Sequence, residues 1–417
     1  MEPLLLISLD WLRPGDPRTG LGISSIAAAV RAAGFPVHVI ADAVNRPDFD
    51  CDAFVSAVQH EVETLKPAWI GVGAFVWNEP EVQALRVALA GRRVVLGGPQ
   101  VSFAEQGSLE ALYPGVCAFI RGHGEAAMVR LMEGLAVNGQ DGLHVAGMND
   151  RGHRADIPLT HLASPHLDGT LPPGSFVRWE TQRGCPFKCS FCQHREAGAR
   201  LTRREFGDTR IDAELCAFAS AQTQRIAVLD PIFHANRARA TRLLRRAQEV
   251  GLRAHLSLQC RFELLTDDFV EAAAALDTTL EFGLQTIHDA EGRAVDRRQN
   301  MERVARWVDE LHHRGIAFEV SLIYGLPEQT LESFVRSVEW CLGRGIARVR
   351  AWPLMLLRGT PLHAQRERWG LVESTGDRIP IVVESDTFSR RDQQEMAAIA
   401  AWLDDNPGAR TLWRSAA

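Results

Sequence analysis

Three cysteines stand within eight positions of the chain, and their spacing predicts chemistry more clearly than any other group of residues. Cys185, Cys189 and Cys192 are three of only eight cysteines among 417 residues. Thiolates are soft ligands, and cysteines this close together indicate a metal or a cluster before a disulfide. A disulfide within the group would also leave the third thiol without a partner.

Two kinds of metal site fit these residues. A zinc ion could take the three thiolates and His194 as its fourth ligand. An iron–sulfur cluster held by three thiolates would keep one iron open for chemistry. A c-type haem requires a histidine directly after a CxxC pair, but Gln193 stands there. A redox pair of Cys189 and Cys192 would leave Cys185 without a role.

The spacing CxxxCxxC, with Phe191 directly before the last cysteine, resembles the signature of the radical S-adenosylmethionine (SAM) enzymes. The resemblance implies a [4Fe-4S] cluster held by Cys185, Cys189 and Cys192, whose fourth iron binds the amino and carboxylate groups of SAM. It also implies an electron donor such as flavodoxin or ferredoxin.

The elements around the cysteines predict a barrel. A strand-like run over 176–181 leads into the cysteine loop, and five further runs alternate with helical patterns up to residue 354. Six βα units make a partial TIM-like (β/α)6 barrel, which is also the fold that the resemblance implies. Barrel enzymes keep their chemistry at the carboxyl ends of the strands, and the cysteines follow such an end.

Polar residues at the later strand ends resemble the SAM-binding elements of the same family. By that resemblance the residues that contact SAM are Phe191, Asp230, Glu281, Gln285, Arg297 (or Arg298), Tyr324, Gly325, Leu326 and Pro327. Phe191 and the turn over 324–327 would lie against the adenine, Glu281 and Gln285 would face the ribose or methionyl part, and Arg297 would pair with the carboxylate. Each has a structural alternative, namely a helix cap, an ordinary turn or a solvated helix face.

Residues 1–145 alternate short apolar strands with amphipathic helices, which predicts a doubly wound, Rossmann-like parallel sheet. Ligands bind such sheets at the carboxyl ends of the strands. Three loops at those ends resemble the cobalamin-binding domain that precedes the radical SAM domain in one large subfamily. The residues that the resemblance assigns to cobalamin are Trp77, Asn78, Gly97, Gly98, Gly122 and Glu125.

The first strand departs from the cobalamin pattern in one respect. The signature DxHxxG, which supplies a histidine to cobalt in other cobalamin proteins, is absent, because Asp10 is followed by Trp11-Leu12-Arg13-Pro14-Gly15. Many members of the radical SAM subfamily lack it too. The departure leaves the lower cobalt ligand unassigned and is also compatible with a domain that has lost cobalamin.

Four segments are therefore expected: a cobalamin-binding-like domain over 1–145, a linker over 146–175, a radical SAM barrel over 176–361 and a short C-terminal helical extension over 362–417. The linker is rich in Gly, Pro, His and Asp and lacks periodicity. The extension is too short for a substrate domain of usual size, which favours a small substrate.

Composition sets broad limits on the protein class. The chain is 46% hydrophobic and 24% charged, with a formal net charge of −6, which is typical of a globular protein and gives no reason to expect nucleic acid or anionic membrane as a partner. The N-terminal apolar run is too short for a signal peptide, and no run reaches the roughly 18 apolar residues of a membrane span. These features predict a soluble cytoplasmic protein, where thiols stay reduced.

Three functional hypotheses follow. The first is a cobalamin-dependent radical SAM enzyme that transfers a methyl group to an unactivated centre of a small molecule in a biosynthetic pathway. The second is a radical SAM enzyme with a vestigial cobalamin domain, which rearranges its substrate or transfers another SAM-derived group such as 3-amino-3-carboxypropyl. The third is a zinc-stabilised binding protein without turnover.

Overall fold

A computed structural model describes residues 2–13, 20–155, 157–194 and 204–412. The chain divides into two compact units. Unit 1 comprises Met1–Phe176 and Phe206–Ala217, and unit 2 comprises Val177–Glu205 and Phe218–Ala417.

Unit 1 is built on a six-stranded sheet with the strand order β2-β1-β3-β4-β5-β6, in which β6 runs antiparallel and the other strands are parallel. The strands are β1 (Leu4–Asp10), β2 (Val37–Ala43), β3 (Trp69–Gly73), β4 (Val94–Gly97), β5 (Ala118–Ile120) and β6 (Leu143–Val145). The helices are α1 (Leu21–Ala32), α2 (Cys51–Leu65), α3 (Glu79–Ala88), α4 (Pro99–Ser102), α5 (Leu109–Leu112) and α6 (Glu125–Glu133). This is the doubly wound fold that the sequence predicts.

The central strand β1 explains why the sheet has a core on each face. All seven of its residues are buried, and successive side chains of a strand point to opposite faces. Leu5, Ile7 and Leu9 accordingly join one hydrophobic core, whereas Leu4 and Leu6 join the other. A continuous apolar run is what a parallel strand covered on both faces requires.

The segment predicted as a linker belongs to unit 1. Arg121 Nη2 and Asp150 Oδ2 form an ion pair at 2.7 Å, and both side chains are less than 5% exposed. Hydrogen bonds from Gly107 N–H and Arg121 hold the pKa of Asp150 below its usual range, although burial opposes them. Further along the chain, Ala155 forms an isolated parallel β-bridge with Gly122. Part of this segment is therefore packed onto the end of β5.

Unit 2 contains the six-stranded sheet β7-β10-β11-β12-β13-β14, and its neighbours from β10 to β14 are parallel. Its strands are β7 (Phe176–Trp179), β10 (Arg225–Val228), β11 (His255–Cys260), β12 (Thr278–Gln285), β13 (Ala317–Tyr324) and β14 (Arg348–Pro353). A small antiparallel pair joins β8 (Gln182–Arg183) to β9 (Arg204–Glu205). The six strands predicted for a partial barrel are confirmed.

Helices separate the strands of unit 2 as βα units require. They are α8 (Arg237–Glu249), α9 (Asp267–Ala274), α10 (Asp289–Ala294), α11 (Met301–His313) and α12 (Leu331–Gly343), while α7 (Asp208–Ser220) is shared between the two units. Single turns of 3₁₀ helix span Leu159–His161, Phe233–Ala235, Phe262–Leu264 and Glu367–Trp369. Side-chain oxygens of Asn236, Thr266, Asn300 and Thr330 cap α8, α9, α11 and α12 and so fix where these helices begin.

Alternation along β12 separates a packing face from a polar face. Leu280, Phe282 and Leu284 are buried, and Phe282 stacks on Phe262 with ring centroids 3.9 Å apart. The intervening positions include Glu281 and Gln285 and lie on the opposite face of the strand. The register therefore decides which side chains of this strand are available for binding.

The last part of unit 2 contains α13 (Pro361–Ala364), the antiparallel strands β15 (Val372–Glu373) and β16 (Val382–Glu384), and α14 (Arg390–Asp405). A capping box between Ser389 and Asp392 starts α14, which packs against β14 and α12. The strands β15 and β16 were not predicted from the sequence. Among the described residues, no helix has the length and apolarity needed to cross a lipid bilayer.

Candidate active site

The cysteine loop leaves the carboxyl end of β7. Its base is closed where β8 pairs with β9, so the loop departs from and returns to the same place in unit 2. Cys189 is buried and Cys185 and Cys192 are partly buried, and all three are free thiols. The sequence prediction that the thiols follow the first barrel strand is thus reproduced in the structure.

Three hydrogen bonds anchor the loop to later parts of unit 2. The Ser190 N–H donates to Val295 O at 3.0 Å, and the Leu362 N–H donates to Ser190 O at 3.0 Å. Gln193 Nε2 donates to Arg358 O at 2.9 Å. The part of the loop around Ser190 and Gln193 is therefore held by the segments that follow α10 and β14.

The thiols are chemically suited to bind iron. Burial raises the pKa of Cys192 to about 11 and also raises the pKa of Cys185, and a coordinated metal ionises such thiols. Three soft sulfur donors in one loop fit a [4Fe-4S] cluster with one open iron. Among the described residues, no three His, Cys, Asp or Glu side chains are arranged around a single metal ion.

Two arginines lie against the loop. Arg297 Nη1 donates to Cys189 Sγ at 3.5 Å, and its Nη2 donates to Gly283 O. The guanidinium carbon of Arg261 lies 3.7 Å from the ring centroid of Phe187. Phe187 stands between the first two cysteines in the sequence. Arg261 was not singled out in the sequence, where only its position directly after β11 could have indicated it.

The placement of Arg297 adds a contact that the family resemblance does not imply. The resemblance assigns Arg297 or Arg298 to the SAM carboxylate, and the structure buries Arg297 against Cys189 while Arg298 is exposed. Phe191, predicted to face the adenine, is partly buried within the cysteine loop.

β12 carries two of the predicted SAM contacts, Glu281 near its middle and Gln285 at its end. The two carboxylate oxygens of Glu281 accept hydrogen bonds from Ser257 Oγ and Gln259 Nε2 on β11. Gln285 has a backbone φ of 70°, a conformation that residues other than glycine seldom adopt. Its Oε1 is buried with no hydrogen-bond partner in the described part of the chain. That atom fits an acceptor for a ligand N–H or O–H.

The turn after β13 presents the predicted adenine contacts. Tyr324, Gly325, Leu326 and Pro327 are all buried. Tyr324 packs on Phe334 with centroids 5.9 Å apart, and burial raises the pKa of its hydroxyl. The Gln329 side chain closes this turn from within and was not singled out in the sequence.

Asp230 lies at the carboxyl end of β10 but its oxygens are already used by the protein. The carboxyl group accepts from Thr181 N–H at 2.7 Å, from Thr181 Oγ1 at 2.5 Å and from Gln182 N–H at 3.2 Å. The side chain is fully buried, and burial raises its pKa to about 7. Asp230 therefore connects the segment that follows β7 to the end of β10.

Trp77 and Asn78 of unit 1, which are predicted to contact cobalamin, form hydrogen bonds that stabilise the turn after β3. Asn78 Nδ2 donates to Leu9 O and Gly73 O at 3.0 and 2.9 Å, and its Oδ1 accepts from Phe75 N–H at 2.8 Å. Trp77 Nε1 donates to the same Leu9 oxygen at 3.1 Å. These bonds join the ends of β1 and β3, the point where the strand order of the sheet reverses and such folds bind ligands.

The remaining unit 1 predictions lie at the ends of β4 and β5. A Cβ on Gly98 would lie 2.6 Å from Ala74 O, so the two backbones approach as closely as only glycine permits. Gly97 O accepts from Ala74 N–H at 2.8 Å, and Gly122 N–H donates to Ser102 Oγ at 2.9 Å. Glu125 is buried and accepts from Ser25 Oγ at 2.8 Å. Their proposed contacts with cobalamin stay predictions.

Family models match both units. A model described as "Radical SAM superfamily" matches residues 179–341, and one described as "B12 binding domain" matches residues 15–132. The chain therefore contains a B12 binding domain followed by a radical SAM domain. A radical SAM domain takes a [4Fe-4S] cluster and SAM, and a B12 binding domain takes cobalamin, so these are the cofactors of this enzyme.

Curated relatives agree with this family. The chain is 25% identical over 363 residues to the cobalamin-dependent radical SAM methyltransferase TokK of Streptomyces tokunonensis, covering 78% of this chain and 53% of TokK. It is 26% identical over 190 residues to the 2-(S-pantetheinyl)-carbapenam-3-carboxylate methyltransferase of Streptantibioticus cattleyicolor, covering 40% of this chain and 28% of that enzyme. The chain therefore spans about half or less of the length of these two relatives.

Solved structures share the fold. The radical SAM methyltransferase TsrM of Kitasatospora setae, with tryptophan and a SAM analogue bound, aligns with a TM-score of 0.71 at 18% identity over 90% of this chain and 79% of TsrM. The cobalamin-dependent radical enzyme OxsB aligns with a TM-score of 0.72 at 12% identity over 97% of this chain and 67% of OxsB. The two alignments cover 90% and 97% of this chain, so each includes residues of both units.

Proposed function

We propose that this enzyme is a cobalamin-dependent radical SAM methyltransferase that acts on an unactivated centre of a small organic molecule. The observation that carries the proposal is the presence, in one chain, of a three-thiol loop at the end of the first barrel strand and a B12 binding domain. The names of TokK and of the carbapenam methyltransferase support methyl transfer, and the tryptophan bound to TsrM supports a small substrate.

The residues of unit 2 have distinct parts in this proposal. When bound, the cluster supplies the electron that cleaves SAM and cobalamin carries the methyl group. Cys185, Cys189 and Cys192 hold the cluster, Gln285 Oε1 accepts a hydrogen bond from SAM, and the turn over 324–327 packs against the adenine. A donor such as flavodoxin or ferredoxin and a cytoplasmic location, where thiols stay reduced, belong to the same proposal.

Product analysis of SAM tests the proposed reaction. The protein is reconstituted anaerobically with iron, sulfide and hydroxocobalamin, and then incubated with SAM and a strong reductant. Loss of the methyl group leaves S-adenosylhomocysteine, whereas cleavage toward the ribose leaves 5'-deoxyadenosine. We expect both products, with S-adenosylhomocysteine disappearing when cobalamin is omitted.

Two variants serve as controls for the assay. Cys189→Ala should abolish 5'-deoxyadenosine, whereas Cys216→Ala on α7, outside the cysteine loop, should leave both products unchanged. Methylthioadenosine as the main product would show that a 3-amino-3-carboxypropyl group is transferred instead. 5'-Deoxyadenosine alone, formed equally well without cobalamin, would contradict a methyltransferase and favour the rearrangement hypothesis.

A further inference from the structure

The Gln329 side chain fills the turn after β13 and uses its whole hydrogen-bonding capacity there. Its Oε1 accepts from Gly325 N–H at 2.7 Å and from Leu326 N–H at 3.2 Å. Its Nε2 donates to Ile323 O at 3.0 Å and to Glu291 Oε2 at 3.3 Å. A carboxamide has two acceptor sites and two hydrogens, so this fully buried group is satisfied only in one orientation.

Glu291 extends this contact to the turn after β12. The residue lies on α10 with 1% of its surface exposed, and its Oε2 also accepts from Thr286 Oγ1 at 2.5 Å. Thr286 directly follows Gln285, the residue whose Oε1 is buried without a partner in the described part of the chain. One carboxyl oxygen therefore joins the two turns that are predicted to hold SAM.

Packing alone does not account for a carboxyl group at this position. Glu291 Oε1 is buried and makes no hydrogen bond to any described residue. Burying an acidic group with few partners costs free energy that an apolar side chain of similar size would not cost. A residue that is costly for stability and bridges two binding turns is a candidate for a role in function.

The segment after Glu291 reaches the cysteine loop as well. Val295 O accepts from Ser190 N–H at 3.0 Å, and Arg297 N–H donates to Gly292 O at 2.7 Å. The Arg297 side chain then contacts Cys189 Sγ. A single stretch of 12 residues from Thr286 to Arg297 thus connects both turns to the thiol loop.

We propose that Glu291 and Gln329 are positioning residues whose hydrogen bond sets the spacing between the turns after β12 and β13, and so determines the affinity for SAM. The proposal rests on the proposed SAM contacts of Gln285 and of the turn over 324–327. Neither positioning residue touches SAM in this proposal, because both side chains are buried beneath those turns.

A double-mutant cycle with an apolar side chain of similar length tests the proposal. Gln329→Met removes the donor of the bond and Glu291→Met removes its acceptor, so each single variant loses the bond. Each should weaken SAM binding by about tenfold, the effect of leaving one buried polar group unpaired. Because both substitutions break the same bond, the double variant E291M/Q329M should bind SAM within about threefold of the weaker single variant, rather than with the roughly hundredfold loss expected of two independent sites.

The readout is the dissociation constant of SAM, measured by anaerobic titration calorimetry on the reconstituted enzyme. The iron content and thermal midpoint of each variant are measured alongside, and Gln394→Met on the exposed side of α14 is the matched control. A double variant whose loss of SAM affinity equals the product of the two single losses would overturn the proposal, as would single variants that bind SAM normally. Failure of methyl transfer in the product assay would leave this result standing, because SAM affinity is measured without turnover.

Discussion

The guanidinium group of Arg297 is the positive charge that lies directly on a predicted cluster ligand, with Nη1 3.5 Å from Cys189 Sγ. Its charge lowers the pKa values of Cys185 and Cys192, although burial outweighs it in both cases. Reduction adds negative charge to a cluster that already carries three thiolates. A buried cation and hydrogen bonds to the sulfurs stabilise that reduced state and raise the reduction potential.

Replacing Arg297 should therefore make the cluster harder to reduce. We expect Arg297→Met to lower the midpoint potential in the absence of SAM by about 60 mV, which corresponds to a tenfold change for a one-electron couple. The measurement is a redox titration followed by electron paramagnetic resonance. Arg298→Met is the matched control, because its side chain is exposed. An unchanged potential combined with weaker SAM binding would assign Arg297 to the SAM carboxylate alone, as the family resemblance implies.

The sequence alone could identify the site cysteines, but it could not show whether the polar residues around them bind a ligand or stabilise a turn. Asp230, Asn78 and Gln329 all follow strands, where a side chain can either face a ligand or bond the backbone of a neighbouring turn. In the structure Asn78 and Gln329 are fully buried and bond backbone groups of their own turns. That choice depends on where distant backbone groups lie, and residue spacing carries no information about it.

Among the elements, the junction of β7 and β10 is held by the carboxyl group of Asp230, which accepts hydrogen bonds from Thr181 and Gln182. Burial raises the pKa of this carboxyl group from 3.8 to about 7, against the hydrogen bonds from Thr181 and Gln182. A group with a raised pKa in the closed state stabilises that state below its ordinary pKa, and the stabilisation is lost as the pH rises through about 7. The β7 end that leads into the cysteine loop should therefore open more easily in alkaline solution.

Hydrogen exchange at the amides of Thr181 and Gln182 measures this opening directly. Between about pH 5.5 and pH 8.5, after correction for the intrinsic pH dependence of exchange, we expect protection to fall about tenfold or more. Asp230→Asn lacks the titrating group and should show a flat profile over the same range. Parallel profiles for the two proteins would show that another group controls the junction.

Strand order and number in unit 2 were predictable because six apolar runs alternate with helical patterns at regular intervals. The strands β15 and β16 were missed because they contain only two and three residues, which is too short for any periodicity. β16 is also held by a long-range hydrogen bond, in which Val382 N–H donates at 2.8 Å to the oxygen of Leu354, the residue after β14. Such a contact leaves no local pattern in the sequence.

At the scale of the whole molecule, each compact unit has a sheet of its own and its own set of predicted cofactor contacts. Loss of the cluster should therefore leave the B12 binding domain folded. We expect the variant C185A/C189A/C192A to contain no cluster iron and to retain cobalamin at the wild-type level. Iron and cobalt analysis of the purified protein, with C51A/C117A/C216A as the control, checks this expectation. Loss of both metals from the first variant would show that the two units depend on each other for folding.

The segment over 146–175 illustrates what loss of periodicity can and cannot indicate. It predicts the absence of regular helices and strands, but it does not predict the absence of contacts. Asp150 lies 29 positions from Arg121 and forms a buried ion pair with it. Such a pair is invisible in the sequence, because either residue alone would be interpreted as a surface charge.

The anchoring of Ser190 has a consequence for how the protein matures. Its carbonyl oxygen is held by the amide of Leu362, which follows the last strand of the barrel. Chains emerge from the ribosome with the N-terminus first, so the cysteines leave the ribosome long before this anchor exists. The anchor of the cysteine loop at Ser190 can therefore form only after β14 has been synthesised. We accordingly expect iron to be delivered to this loop late, when most of the chain has left the ribosome.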